Sequence, residues 1–190
     1  MRVRQSLINC TVAAFLPLML LGGPAGAQTG SDTARLDELF EQLQDADERA
    51  AARIERQIWA EWSKSGSAAM DLLLERGRMA AEQGDYEAAV EHLTALVDHA
   101  PDFAEGWNAR ALVYFQMGEY GPSVNDIART LTLNPRHFGA LSGLGMIFEQ
   151  MGDEGRALEA YRAALAIHPR LEGVNEAVER LELDAAGTEL

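Results

Sequence analysis

The stretch MDLLLERGRMAAEQGDYEAAVEHLTALVDHAPDF fills residues 70–103, and its layout recurs twice downstream, as AEGWNARALVYFQMGEYGPSVNDIARTLTLNPRH at 104–137 and FGALSGLGMIFEQMGDEGRALEAYRAALAIHPRL at 138–171. Pro101, Pro135 and Pro169 are 34 residues apart, and so are Gly84, Gly118 and Gly152, each followed by an acid at Asp85, Glu119 or Asp153. A fixed period of this length is the signature of stacked supersecondary units. Within each unit Leu73/Trp107/Leu141, Gly77/Ala111/Gly145 and Ala80/Tyr114/Phe148 stand at i, i+4 and i+7, marking one buried face of a first helix. The glycine then stops that helix, because it takes a left-handed C-cap without steric cost. A second helix follows, with a buried face of Ala89/Ser123/Ala157, Leu93/Ile127/Tyr161 and Val97/Leu131/Leu165, and ends before a proline that cannot continue it. Pro122 falls in the first turn of its helix, where the missing amide proton is not needed. Small residues at Gly77 and Ala89, and at their counterparts, let the two helices of a unit approach closely. A pair of short helices cannot hide its apolar face alone, so the units are expected to stack and leave a concave and a convex surface.

On these residues the stretch from Met70 to Leu171 resembles three tetratricopeptide repeats. The middle copy carries the resemblance in Trp107, Ala111, Tyr114, Ser123, Ile127 and Pro135, and the third more closely in Leu141, Leu144, Gly145, Phe148, Ala157, Tyr161 and Pro169. Arg76 and Arg110 stand where the family has leucine, and Ser123 and Ile127 where it has alanine and an aromatic residue. The expected fold is all-α: a right-handed α-solenoid of three helix pairs at 70–103, 104–137 and 138–171, with an N-terminal helical hairpin and a C-terminal capping helix.

The flanking segments supply those additions. Leu36, Leu39, Phe40 and Leu43 form one helical stripe, and Ile54, Ile58 and Trp62 form another beyond a break at Asp45 to Asp47. A hairpin over 36–65 follows, either as a cap on the solenoid or as a docking or dimerisation element; a simple cap would leave Trp59 exposed. Val174, Val178 and Leu181 predict a capping helix over 172–183, and the small and acidic residues of 184–190 a frayed tail.

Residues 1–27 have the layout of a secretory signal: Arg2 and Arg4, an apolar run from Leu7 to Leu21 interrupted by Asn9, Thr11 and Pro17, and the small residues Ala25-Gly26-Ala27. The run is shorter than the ~20 apolar residues that span a bilayer, so cleavage after Ala27 and a periplasmic or secreted protein are expected, with a flexible lead-in over 28–35 and no stable membrane insertion. Cleavage removes Cys10, the single cysteine, leaving neither disulfide nor thiolate chemistry. The net charge of -14 becomes more negative without Arg2 and Arg4, which disfavours nucleic acid and anionic membranes as partners. Lys64 is the single lysine beside fifteen arginines, a bias expected of a GC-rich bacterial genome.

No reaction class is supported. His92, His99, His137 and His168 show no metal-ligand spacing and are expected at the surface or packed at the repeat junctions. Ser65-Gly66-Ser67 lacks the strand-turn-helix setting of a nucleophile elbow, and the scattered acids form no paired site. No cofactor or metal is expected. The groove is more informative, because Asn108, Leu112 and Phe115 form a second stripe about 100° round their helix from Trp107, Ala111 and Tyr114. The resemblance implies that this side of each first helix lines the concave surface; the alternative is that Leu112 and Phe115 pack against the adjacent repeat. With Gln116, the matching positions are Leu74, Arg78 and Ala81 before and Ser142, Met146 and Glu149 after. The resemblance includes family members that grip a terminal carboxylate with lysines and asparagines in this groove, and no lysine occurs in these repeats. The expected function is a non-catalytic periplasmic adaptor or scaffold that holds a peptide or helix of an envelope protein in the groove. The alternative is a structural unit that self-associates, as a homodimer for example, through the 36–65 hairpin.

Overall fold

Each of the three repeated units folds as two helices because its glycine ends the first in the same way. Gly84, Gly118 and Gly152 all sit at a φ of +76°, in the left-handed region where a side chain is strained. In each copy the glycine N–H and the next residue's N–H donate back to the last turn: Gly84 to Ala81 and Asp85 to Ala80, Gly118 to Phe115 and Glu119 to Tyr114, Gly152 to Glu149 and Asp153 to Phe148. This double bond closes the orphan carbonyls of the first helix. Asp85 and Asp153 then cap the second helix, accepting from the N–H groups of Ala88 and Arg156 at 3.1 and 3.0 Å.

A computed structural model of the protein describes residues 26–188, which form nine helices: α1 Gly26–Gln44, α2 Glu48–Trp62, α3 Ala68–Glu82, α4 Tyr86–His99, α5 Ala104–Gln116, α6 Tyr120–Leu133, α7 Phe138–Gln150, α8 Glu154–Ile167 and α9 Val174–Thr188. The chain is all-α over these residues, and the pairs α3/α4, α5/α6 and α7/α8 stack in sequence, with α9 laid on α8 as α5 is laid on α4. Within a pair the small residues set the contact: a Cβ at Gly77 would lie 2.5 Å from Leu93, and one at Gly145 2.5 Å from the Tyr161 ring. Between pairs, Leu74, Ala89, Leu93 and Leu96 of the first close over Ala109 and Val113 of the second, while Ala111 and Ile127 meet Ala140 and Ile147 of the third. Arg110, at the position where the family has leucine, lies across Trp107 and forms a two-pronged ion pair with Asp126 at 2.7 and 2.9 Å.

Three features differ from the sequence-based expectation. Residues 28–35, expected to be a flexible lead-in, belong to α1, since no proline or paired glycine separates them from the Leu36 stripe. Residues 184–188, expected to fray, continue α9, in which Leu183, Ala185 and Ala186 are good helix formers. The hairpin does not cap the first pair. Its apolar stripes, Leu39, Phe40 and Leu43 with Ile54, Ile58 and Trp62, share a core with Phe138, Tyr161, Leu171 and Val174 of the third pair and α9. Gln44 donates to the carbonyl of Ile167 at 2.9 Å, and Arg136 pairs with Asp37 at 2.6 Å while lying over the Phe40 ring. The expected secretory signal falls outside the described residues except for Gly26 and Ala27, which begin α1.

Leu93 is fully buried where α3, α4 and α5 meet. Its replacement by alanine is expected to lower unfolding stability by about 2–5 kcal/mol, read from the urea midpoint of the helical circular dichroism signal.

Candidate functional site

Helices α3, α5 and α7 stand beside one another along one face of the stack, followed by α9, and a run of four hollows lies over them. Each hollow shares lining residues with the next. The first, on α3, includes Asp71, Glu75, Arg78 and Glu82. Arg78 and Glu82 pass into the second, about 310 Å³ between α3 and α5. Trp59, Asn108 and Leu112 are common to the second and to the third, about 230 Å³ between α5 and α7. Met146 belongs to the third and to the fourth, between α7 and α9, with Ser142, Glu149 and Tyr161.

The third hollow is the apolar one. Its walls include Ala111, Phe115, Ile127, Ala140 and Ile147, and its polar side chains are already engaged: the Ser123 hydroxyl donates to the carbonyl of Ala111 at 2.7 Å, and the Asn108 amide donates to Glu105. Leu112, 55% exposed, forms the ridge towards the second hollow, and Met146, 43% exposed, the ridge towards the fourth.

Trp59 reaches this groove from the hairpin. Its ring meets Trp62, His137 and Phe138 edge-on at 5.3, 5.4 and 5.6 Å, and its indole N–H donates to Glu55 at 3.2 Å. The first turn of α7 makes room for it at Gly139, where a Cβ would come within 2.7 Å of the indole. A simple cap would have left this residue in solvent; docking of the hairpin on the third pair instead makes it a wall of two hollows.

Beneath the groove one carboxylate joins all three pairs, and the hairpin rests on its partners. Glu105, in the first turn of α5 and 2% exposed, accepts from the Arg78 guanidinium of α3, from the Asn108 amide at 3.3 Å and from Nε2 of His137 at 2.9 Å. His137 is fully buried, and its Nδ1 accepts from the N–H of Ala140 as the cap of α7, which places the ring proton on Nε2 towards Glu105. The Trp62 ring stacks on the imidazole at 4.3 Å, and Arg78 also donates to the Ser63 hydroxyl at the end of α2. A buried carboxylate is tolerated here because donors surround it. A second contact ties α2 to the end of α8: Glu55 lies 3.4 Å from Nε2 of His168, and that hydrogen bond holds the Glu55 carboxyl below its ordinary range in spite of partial burial.

The sequence-predicted groove residues are distributed along the run. Asn108, Leu112, Phe115 and Met146 meet in the third hollow; Arg78, Ala81 and Gln116 join Asn108 and Leu112 in the second; Ser142 and Glu149 join Met146 in the fourth. Leu74 lines the first hollow with Arg78, but as its floor: it is 2% exposed and packs into the core of the first pair. The two alternatives for Leu112 and Phe115 divide between them. Leu112 projects from the surface, whereas Phe115 is half-buried against Tyr120, with ring centroids 5.9 Å apart, and gives the hollow one edge. Glu149 is engaged at α9, accepting from the Tyr161 hydroxyl and pairing with Arg180 at 2.9 Å. Sequence reasoning missed Glu105 and its contact with His137, for which it expected only the surface or a packed place at a repeat junction, while Trp59 gave one sign, its place off the Ile54, Ile58 and Trp62 stripe. Among the described residues no group of three or more His, Cys, Asp or Glu is gathered that could hold a metal ion, and no helix is long and apolar enough to cross a membrane.

Two family models match the chain, one described as "Tetratricopeptide repeat" over residues 108–172 and one as "TPR repeat" over 77–118. Together they cover about half of it. A TPR repeat-containing protein of Rhizobium etli is 43% identical over 117 residues, which make up 61% of this chain and 57% of that relative, so the chain spans little more than half the relative's length. Among solved structures, the first TPR of Spaghetti (RPAP3) bound to an HSP90 peptide, SRMEEVD, superposes with a TM-score of 0.60 at 22% identity, covering 63% of this chain and 95% of that one. The Sgt2 TPR domain from Aspergillus fumigatus gives 0.60 at 21% identity, covering 65% and 83%. At such identities the two structures speak for the fold.

Truncation of Glu105 to alanine leaves the His137 N–H and the Arg78 guanidinium without their anion; the expected loss is about 3–5 kcal/mol, with faster amide exchange from Trp59 to Trp62. For Glu55 the folded-state pKa is depressed, so its contribution is present above the unfolded carboxylate value near ~4.3 and is lost as the pH falls through the lower folded value. The protection factors of the α2 amides, taken against their intrinsic exchange rates, are therefore expected to fall below about pH 4 in the native chain, and to show a shallower acid dependence in Glu55→Gln.

Proposed function

Because the chain belongs to the tetratricopeptide repeat family, we propose that it is a non-catalytic adaptor that holds a peptide or short helix of an envelope protein in the groove over α3, α5, α7 and α9. One observation carries this reading. Leu112 and Met146 remain exposed on either side of an apolar hollow whose polar groups are already satisfied. Large apolar side chains kept in water beside a concavity mark a binding surface rather than a fold requirement. The Spaghetti domain, bound to its HSP90 peptide, is an instance of peptide binding on the same fold. That peptide ends in two glutamates, a valine and an aspartate, and the repeats of this chain offer no lysine to meet such a guest, so the guest here is of another kind.

The adaptor acts outside the cytoplasm in this reading. Arg2, Arg4, the apolar run and Ala25-Gly26-Ala27 support export with cleavage after Ala27, in the periplasm or beyond it. Self-assembly through the hairpin is disfavoured, since Leu39, Phe40, Leu43, Ile54, Ile58 and Trp62 are already buried within the chain.

The protein purified from an envelope extract of its own cells is expected to begin at Gln28 and to retain a partner polypeptide. The variant Leu112→Asp/Met146→Asp, with the same helical circular dichroism, is expected to lose that partner. A variant that keeps it, or a mature chain that retains residues 1–27, would overturn the corresponding part of the reading.

A further inference from the structure

Resting on the peptide-binding reading, we infer that the guest is a cationic segment that places one large apolar side chain between Trp59 of the hairpin and Leu112 of α5. The charge of the groove points to the cation. Its four connected hollows are lined by six carboxylates and two guanidinium groups. Both cations are spent: Arg78 is paired with Glu105, and Arg180 with Glu149. Glu75 and Glu82, seven residues apart and so on one side of α3, stay exposed at one end of the run, and Glu172 stays exposed at the other; among the described residues no cation is paired with them. The net charge of -14 adds to the same potential. An acidic guest would meet like charge at both ends of the groove, whereas a basic one is drawn in and held in register.

The anchor follows from size and chemistry. The third hollow, at about 230 Å³, lies below the range of about 300–1,000 Å³ usual for small-molecule sites and is sized for a side chain. Its walls are almost wholly apolar. The indole N–H of Trp59 is already given to Glu55, so what the ring offers the groove is apolar surface. The site is thereby composite: the repeats supply Leu112 and Met146, and the hairpin supplies the opposing wall.

The test uses the full mature chain and three short synthetic peptides: one leucine among lysines and glycines, the same peptide with glutamate for lysine, and the lysine peptide with serine for leucine. Binding is followed by NMR on the Trp59 indole N–H, assigned by its loss in Trp59→Phe, and on the Leu112 methyls. The lysine–leucine peptide is expected to shift both signals, and to bind about tenfold more tightly than either of the others. Its affinity is expected to fall by a similar factor in Glu75→Gln/Glu82→Gln, whose altered side chains are exposed and make no ion pair that folding requires. If the glutamate peptide binds as tightly and moves the same signals, the cationic guest is wrong while the peptide-binding groove stands. Equal affinity of the serine peptide overturns the apolar anchor. If none of the peptides moves Trp59 or Leu112, the inference and the groove reading fall together.

Discussion

A pair of helices only 13–15 residues long has two apolar flanks and no means of covering both. Everything else in this chain answers that constraint. The fixed period brings each flank opposite a matching one, and the left-handed glycines turn the second helix back at the same angle each time. Gly77 and Gly145 let the partners come close enough for Leu93 and Tyr161 to fill the space. The groove is a by-product of the same geometry: once α3, α5 and α7 have buried the sides that meet their neighbours, the remaining side of each is aligned with the others and free for another polypeptide.

The stack is also fastened across its pairs, and by a different chemistry. At Glu105 a guanidinium from α3, an amide from α5 and an imidazole from the start of α7 converge on one buried carboxylate, with Trp62 stacked on the imidazole. Apolar packing tolerates small slides of one helix over another, whereas a carboxylate surrounded by directed donors does not. The groove floor between α3 and α7 is therefore fixed at the place where the hairpin delivers Trp59.

What the sequence made legible was whatever is decided locally. The turn glycines and the buried stripes at Leu93, Ile127 and Tyr161 depend on residues within one period, and all are present in the structure. Along the groove, register placed Leu112 and Met146 on one side of their helices, because a helix 3.6 residues to the turn fixes which positions share a side, and the family resemblance implied that this side faces the groove; both are exposed. Leu74 has the register of Asn108 and lines the first hollow, but it lies where α3 meets the α4 and α5 core, so the neighbour decides its burial. The destination of the hairpin was not legible. Its stripes announce that they need covering without saying by what, and both the first and the third pair present apolar surface. Glu105 was equally silent, since an acid in the first turn of a helix is usually placed there for the helix dipole and faces water.

The return of the hairpin to the far end of the stack alters how the molecule comes apart. An open array of repeats can lose its end units one at a time, because each touches only its neighbours. Here the contacts Asp37–Arg136, Glu55–His168 and Gln44–Ile167 join residues 99, 113 and 123 positions apart. Peeling away either terminus takes the other terminus's cover with it, so the closure replaces stepwise unzipping with a concerted event. It also raises the mean loop length that must be closed before the chain is native, which slows assembly relative to an open array of the same helices.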